Sequence, residues 1–259
     1  MSTTLVADSA ALLYGAARDG QLVDLLSVAT ATLDVTTGYA IEDTLVGLHV
    51  ADGATVTGAK LGLTSIAKQV EMQVHEPIGG WLTDRMALAE GEPLVVGSLV
   101  QPRCEPEIAF LLGADLSGTD VSAADVLAAT TSVMAAIEVL DSRYRDYRFT
   151  LPDVIADNAS AARFVVGPAV PPGDVDLRGC AVTFHINDML MGSATGAAVM
   201  GDPAEAVAWW VRHLAGSGRG LRAGMIVLSG ALMGAQKVAA GDQVRATIEG
   251  LGTLQLVCR

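Results

Sequence analysis

The stretch Gln101-Pro102-Arg103-Cys104-Glu105-Pro106-Glu107-Ile108-Ala109-Phe110-Leu111-Leu112 constrains this chain more than any other. Its second half is an apolar run, and its first half carries two carboxylates two residues apart. Side chains alternate along an extended segment, so Glu105 and Glu107 point to one face. Like charges side by side on a strand repel, which calls for something positive between them. A third glutamate, Glu138, lies inside a second apolar run, 133–140. A carboxylate there is costly to bury unless it is paired or binds a metal. Three glutamates converging on one point make a hard, oxygen-rich site suited to Mg2+ or Mn2+. A plainer arrangement meets the same spacing. Glu105 and Glu107 then face solvent on an edge strand, and Glu138 pairs with Arg103, Arg143 or Arg145. Spacing alone leaves both open.

Composition narrows the class. The chain has 259 residues, 51% hydrophobic and 17% charged, enough for a substantial core and unlike a disordered chain. A net charge of −13 argues against a nucleic-acid partner. It leaves room for a small anionic substrate in a locally positive pocket. Cys104, Cys180 and Cys258 are widely spaced with no CxxC, which suits a reducing compartment and free thiols. No signal-peptide pattern opens the chain and no apolar run reaches the length of a membrane span. The expectation is a cytoplasmic protein without a membrane partner.

Helical spacing covers 7–30, with a break near Asp19-Gly20, and again 37–49. Residues 56–65 read as a strand holding Lys60, then a glycine-spaced turn into a helix from Thr64 to Met72. Lys60 among small and apolar neighbours is either a surface lysine with a buried stem or a buried anion-binding group. The segment 76–86 is punctuated by Pro77, Gly79 and Gly80 and reads as a loop. Residues 91–100 read as a turn and a strand. Ser122 caps a following helix, and Asp202 with Pro203 starts another. His49, His185 and His213 read as structural. Short strands alternate irregularly with few helices, so the expected fold is mixed α/β with a curled sheet. The expected division is a small N-terminal helical region, 1–55, and a metal-binding catalytic domain, 56–259.

Five segments, taken in order, resemble the fumarylacetoacetate hydrolase superfamily. They are Lys60-Leu61-Gly62-Leu63-Thr64-Ser65, Glu105-Pro106-Glu107-Ile108-Ala109-Phe110, Glu138-Val139-Leu140-Asp141-Ser142-Arg143-Tyr144, Ala156-Asp157-Asn158-Ala159-Ser160 and Glu249-Gly250-Leu251-Gly252. The resemblance spans roughly 37–259 and is to the branch holding 2-hydroxypentadienoate hydratases and 4-oxalocrotonate decarboxylases. It implies a β-roll with peripheral helices. It implies that Glu105, Glu107 and Glu138 bind the cation, and that Lys60 and Ser160 belong to the active site. Hydratases of the branch carry an aspartate in a P-D-x-G segment, where this chain reads Pro77-Ile78-Gly79-Gly80. Decarboxylases carry an apolar residue there, and this chain resembles them also in Asp141-Ser142-Arg143-Tyr144. Gly79 replaces an aromatic common to both.

The resemblance therefore implies metal-dependent decarboxylation of a small 2-oxo dicarboxylic acid, 4-oxalocrotonate, with Ile78 as an apolar wall near the departing carboxylate. Arg143 is either a group orienting the substrate or a structural counter-ion. A homo-oligomer and a complex with a sister hydratase are further expectations. The alternatives are a hydratase, another metal-dependent activity of the superfamily, and a non-catalytic partner subunit.

Overall fold

Apolar runs with no polar alternation need cover on both faces. The structure, a computed structural model, describes residues 3–30, 33–65, 69–70 and 74–259, and it gives these runs that cover. The strands in chain order are β1 (Val56–Gly62), β2 (Ile78–Thr83), β3 (Arg103–Leu112), β4 (Thr130–Leu140), β5 (Ala161–Val166), β6 (Ala181–Ile186), β7 (Met189–Thr195), β8 (Ile226–Leu228), β9 (Gln236–Lys237), β10 (Gln243–Ile248) and β11 (Gly252–Val257). The first sheet runs β2-β1-β8-β3-β4-β5, with β9 beside one end of β3. Among its described strand pairs only β1 and β8 run parallel. The second sheet, β11-β10-β6-β7, is antiparallel.

The two sheets share one core. Val182, Phe184, Val244, Ala246 and Leu254 join Val133, Ala135, Ile137 and Val165 in it. Each fully buried aliphatic or Phe side chain contributes about 1.5–3 kcal/mol. The helix Pro203–Ala215 adds Val207, Ala208, Trp210 and Val211 to the same core. It starts as the sequence implies, with the Asp202 side chain accepting from the Ala204 amide and proline in the first turn. This is the mixed α/β, curled-sheet fold that the segment pattern implied.

The N-terminal helices make a second, smaller core. α1 (Thr3–Asp19) ends at Gly20, whose φ of +65° is the left-handed stop a helix end favours. The break expected near Asp19-Gly20 falls there, but beyond it the helical spacing up to residue 30 yields only the one-turn α2 (Leu26–Ala29). α3 (Val35–Ala51) is capped by Asp34, which accepts from the Thr37 amide. It packs on the helix Leu151–Ala156 at Gly38, where a Cβ would lie 2.8 Å from the Pro152 carbonyl. Ala10, Leu13, Ile41, Leu45, Tyr144 and Ala156 form this core.

Two expectations change. Residues 76–86 are not a loop: 78–83 is β2, buried throughout and paired with β1. Its glycines serve close approach rather than turning. A Cβ on Gly79 would lie 2.5 Å from the Trp210 ring, and one on Gly80 would lie 2.9 Å from the Asn158 carbonyl. The strand expected in 91–100 is a single bridge, Leu94 to Cys258, followed by a 3-10 turn, Val96–Ser98. The helix expected from Thr64 to Met72 falls largely outside the described residues.

Candidate metal centre

The register of β3 against β4 places Glu105 directly opposite Glu138, with Glu107 one repeat further along the same face of β3. One oxygen from each of the three lies within 4.8 Å of the others. Glu107 and Glu138 are 0% exposed and Glu105 7%. The solvent-facing edge-strand arrangement is therefore excluded, because β3 lies between β8 and β4. The partner of Glu138 is also not an arginine. Its Oε2 lies 3.1 Å from Lys60 Nζ on β1.

Lys60 is 2% exposed and donates a second bond to the Ala159 carbonyl at 3.0 Å. Burial lowers the pKa of its ammonium, but the charges of Glu138, Glu105 and Glu107 outweigh that and raise it. Glu107 Oε2 accepts from the Gly230 amide at 2.7 Å, while Oε1 is buried with no hydrogen-bond partner. Position 230 requires glycine, since its φ is +108° and the Thr64 side chain fills the space a Cβ would take. Burial, then the charges of Glu138 and Glu105, push the Glu107 carboxyl well above the usual range. Burial also raises Glu138, against the pull of Lys60.

These features test whether a cation fits. Among the described residues, three carboxylates and the Lys60 ammonium leave the ionised cluster two charges negative. Glu107 Oε1 and both Glu138 oxygens, all buried, take no well-angled hydrogen bond. A hard divalent cation with oxygen ligands meets both conditions.

The turn after Asp157 completes the pocket. Asn158, Ala159 and Ser160 have φ of +50°, +48° and +59°, three left-handed residues in succession. Each costs about 1–3 kcal/mol and persists only where its surroundings enforce it. Here the Asn158 side chain brackets β2: the Trp81 amide donates to Oδ1 at 2.7 Å, and Nδ2 donates to the Trp81 carbonyl at 2.9 Å. The turn hands the Ala159 carbonyl to Lys60. It also places the Ser160 hydroxyl, buried without a hydrogen-bond partner, at the cavity wall. Nothing in the spacing of residues 157–160 announces this geometry beyond the tolerance of asparagine for positive φ.

Arg143 sits elsewhere, which corrects its placement among substrate-orienting residues. Its guanidinium donates to the Asp157 carboxylate, to the Asp141 carbonyl and, at 2.7 Å, to the Asp157 carbonyl. It is a structural counter-ion beneath the turn and lines a separate small cavity. Burial pushes Asp157 up to about 6 even against the pull of Arg143.

A cavity of about 490 Å³ opens over the cluster. Lys60, Ile78, Glu105 and Ser160 line it, so the sequence-derived candidates apart from Arg143 meet at or beneath one pocket. Ile78 opens β2 opposite Gly62 and is 3% exposed. Leu63, Phe149 and Val154 extend the apolar wall, while Arg103, Tyr147 and Gln236 supply polar lining that the sequence analysis did not assign to a site. The room left by an aromatic at position 79 is filled by Trp210.

Among the described residues no helix is long and apolar enough to cross a membrane. Residues 49–257 match the family model described as fumarylacetoacetate (FAA) hydrolase C-terminal. A 2-hydroxyhexa-2,4-dienoate hydratase of Comamonas testosteroni is 40% identical over 247 residues, covering 94% of each chain. A 4-oxalocrotonate decarboxylase of a Pseudomonas species is 41% identical over 215 residues, covering 83% of each. The solved 4-oxalocrotonate decarboxylase of Pseudomonas putida G7, in complex with magnesium and adipate, superposes with a TM-score of 0.97 at 30% identity. That match covers 100% of this chain and 99% of the other.

Proposed function

The chain belongs to the fumarylacetoacetate hydrolase C-terminal family, and from that premise we propose that it decarboxylates 2-oxo-3-hexenedioate (4-oxalocrotonate) to 2-hydroxy-2,4-pentadienoate in an aromatic meta-cleavage pathway. The observation that carries the choice is Ile78, buried in the cavity wall among Leu63, Phe149 and Val154. Adding water to an alkene requires a positioned acid or base beside the distal carbon, and among the described residues these four wall positions carry none. Loss of CO2 requires none there. The similar decarboxylase was solved with a six-carbon dicarboxylate and magnesium, which supports the same class of substrate and ion.

Glu105, Glu107 and Glu138 would hold Mg2+ or Mn2+. When bound, the cation supplies Lewis-acid polarisation of the 2-oxo group, the electron sink for decarboxylation. The C5–C6 bond breaks, its electron pair shifts through the alkene to the 2-oxo oxygen, CO2 leaves, and that oxygen takes one proton. Lys60, kept charged by the surrounding carboxylates, faces the negative charge that grows at that end. The Ser160 hydroxyl would donate to a substrate oxygen, a role supported by its unpartnered position at the cavity wall. Ile78 and its apolar neighbours wall the end from which CO2 departs.

Hydration of 2-hydroxypentadienoate is the second reading, because a hydratase is as similar as the decarboxylase. Purified full-length protein with Mg2+ is assayed with 4-oxalocrotonate for CO2 release and with 2-hydroxypentadienoate for hydration. Decarboxylation is expected to be the faster reaction. Faster hydration overturns the proposal, and turnover of neither substrate points to a partner subunit of a sister hydratase.

A further inference from the structure

Arg103 has no part in the chemistry above, yet it is built into the same cavity. It lies on β3 two residues before Glu105, on the same face and about 7 Å along the strand. Its guanidinium lies over the Tyr147 ring, 4.0 Å from the centroid. Its Nε is buried without a hydrogen-bond partner. Among the described residues no ion pair engages it.

The platform under it is rigid. Tyr147 has φ of +57°, an uncommon and strained conformation for an aromatic residue. Gln101 holds the segment there. Its Nε2 donates to the Ser142 and Tyr144 carbonyls at 2.8 and 2.6 Å, and its Oε1 accepts from the Asp146 amide at 3.1 Å. The Tyr147 hydroxyl donates to the Gln101 carbonyl at 3.3 Å. The segment leading into β3, the strand that carries Arg103, thus also fixes the ring on which Arg103 lies.

An oriented guanidinium without a carboxylate partner, beside a centre suited to a cation, matches a planar anion that also reaches the metal. The cavity has two ends. Arg103 and Gln236 line one from β3 and β9, with Tyr147 and exposed Asp146 beside them. Ile78 lines the other from β2, across β1 and β8, with Leu63 and Val154. Phe149 lies between, packed with Ile78 and 6.4 Å from the Tyr147 ring. We propose that Arg103, held flat by Tyr147, receives the C1 carboxylate of the 2-oxo acid and thereby sets the direction in which the substrate lies, its distal carboxylate toward Ile78. This rests on the reading that the site takes a 2-oxo acid. Decarboxylation favours that direction. A guanidinium on the distal carboxylate would stabilise a charge that must be given up as CO2 leaves.

The test is calorimetric binding of 2-oxopentanoate, which carries only the C1 carboxylate, to full-length protein with Mg2+. Arg103→Gln is expected to weaken it about 10- to 100-fold, the size of a lost charge-assisted hydrogen bond. Arg103→Lys is expected to fall between the two, and Tyr147→Leu to weaken binding with Arg103 intact. The Mg2+ affinity of each variant, titrated alone, is expected to stay within about threefold of wild type. Unchanged 2-oxopentanoate affinity in Arg103→Gln overturns the inference and leaves the metal centre standing. Lost Mg2+ affinity in Arg103→Gln also overturns it, by making Arg103 a support of the metal ligands. Wild-type protein that binds Mg2+ but not 2-oxopentanoate sinks the 2-oxo-acid reading and this inference together.

Discussion

Glu107→Gln separates the charge of a fully buried carboxylate from its shape. Ligand oxygens within 4.8 Å of one another repel by about 3–4 kcal/mol per ionised pair at an effective dielectric of about 20. There are three such pairs and, among the described residues, the Lys60 ammonium 3.1 Å from Glu138 to offset them. Without a cation the cluster therefore lowers its energy by holding a proton. Glu107 is the place for it, buried, raised well above the usual range, and with one oxygen unpartnered. Glutamine has the shape of that protonated acid and still accepts from the Gly230 amide. The metal-free variant is thus expected to melt within about 2 °C of wild type, since the two differ by no more than about 1 kcal/mol. The difference emerges with metal. A ligand at a hundred times its Kd stabilises wild type by about 2.7 kcal/mol, or about 5–11 °C for a chain of this length. Glu107→Gln is expected to lose most of that gain and, with the electron sink weakened, about a thousandfold in turnover. Differential scanning fluorimetry with and without MgCl2, together with calorimetric Mg2+ titration, measures both states. A full Mg2+ shift in the variant refutes the ligand assignment. A metal-free variant melting far below wild type refutes the protonated apo cluster.

Ile78→Asp is expected to slow CO2 release from 4-oxalocrotonate at least about tenfold, because it sets a carboxylate against the departing one in a buried wall. An unchanged rate in folded protein would show that Ile78 does not face the leaving group. Glu42 on α3 is fully buried with both oxygens unpartnered, and burial, then Asp43, raises its carboxyl well above the usual range. A folded pKa above the unfolded one gives stability that is complete below about pH 4.3 and lost as pH rises through the raised value, at about 1.4 kcal/mol per unit. Glu42→Gln removes that loss, so its melting temperature is expected to climb relative to wild type from pH 5 to pH 8; a constant gap contradicts the reasoning. Arg143→Met leaves Asp157 buried without its partner and is expected to cost about 3–5 kcal/mol, most of it recovered when Asp157→Leu is added. A single variant destabilised by less than about 1 kcal/mol in urea titration would show that the pair does not hold the turn.

What was legible in the chain, and what was not, divides along a physical line. Glu105 and Glu107 share a face by strand alternation alone, and Glu138 declares itself by the cost of a carboxylate in an apolar run. Both are local facts, so the three ligand candidates could be named. Their cation partner could not, because Lys60 meets Glu138 only through the long-range order β1-β8-β3-β4. The arginines nearest in sequence were plausible and are not used. Arg143 goes to Asp157, and Arg103 lies over Tyr147.

Small residues misled for a related reason. Gly79 and Gly80 have the composition of a loop, yet they sit in a buried strand because Trp210 and Asn158 press against them from segments far along the chain. A glycine records the absence of a side chain, and the neighbour that requires this absence is known only once the fold brings it there. That dependence bears on the site itself. β2 carries Ile78 into the cavity wall because its next two positions are small enough to admit a tryptophan ring on one and a strained asparagine turn on the other. The same turn presents the Ala159 carbonyl to Lys60 and Ser160 to the cavity. The apolar wall and the lysine are therefore coupled through Gly80 and Asn158. A side chain at position 80, which pairs with Lys60 across β1 and β2 and presses on Asn158, should disturb both together.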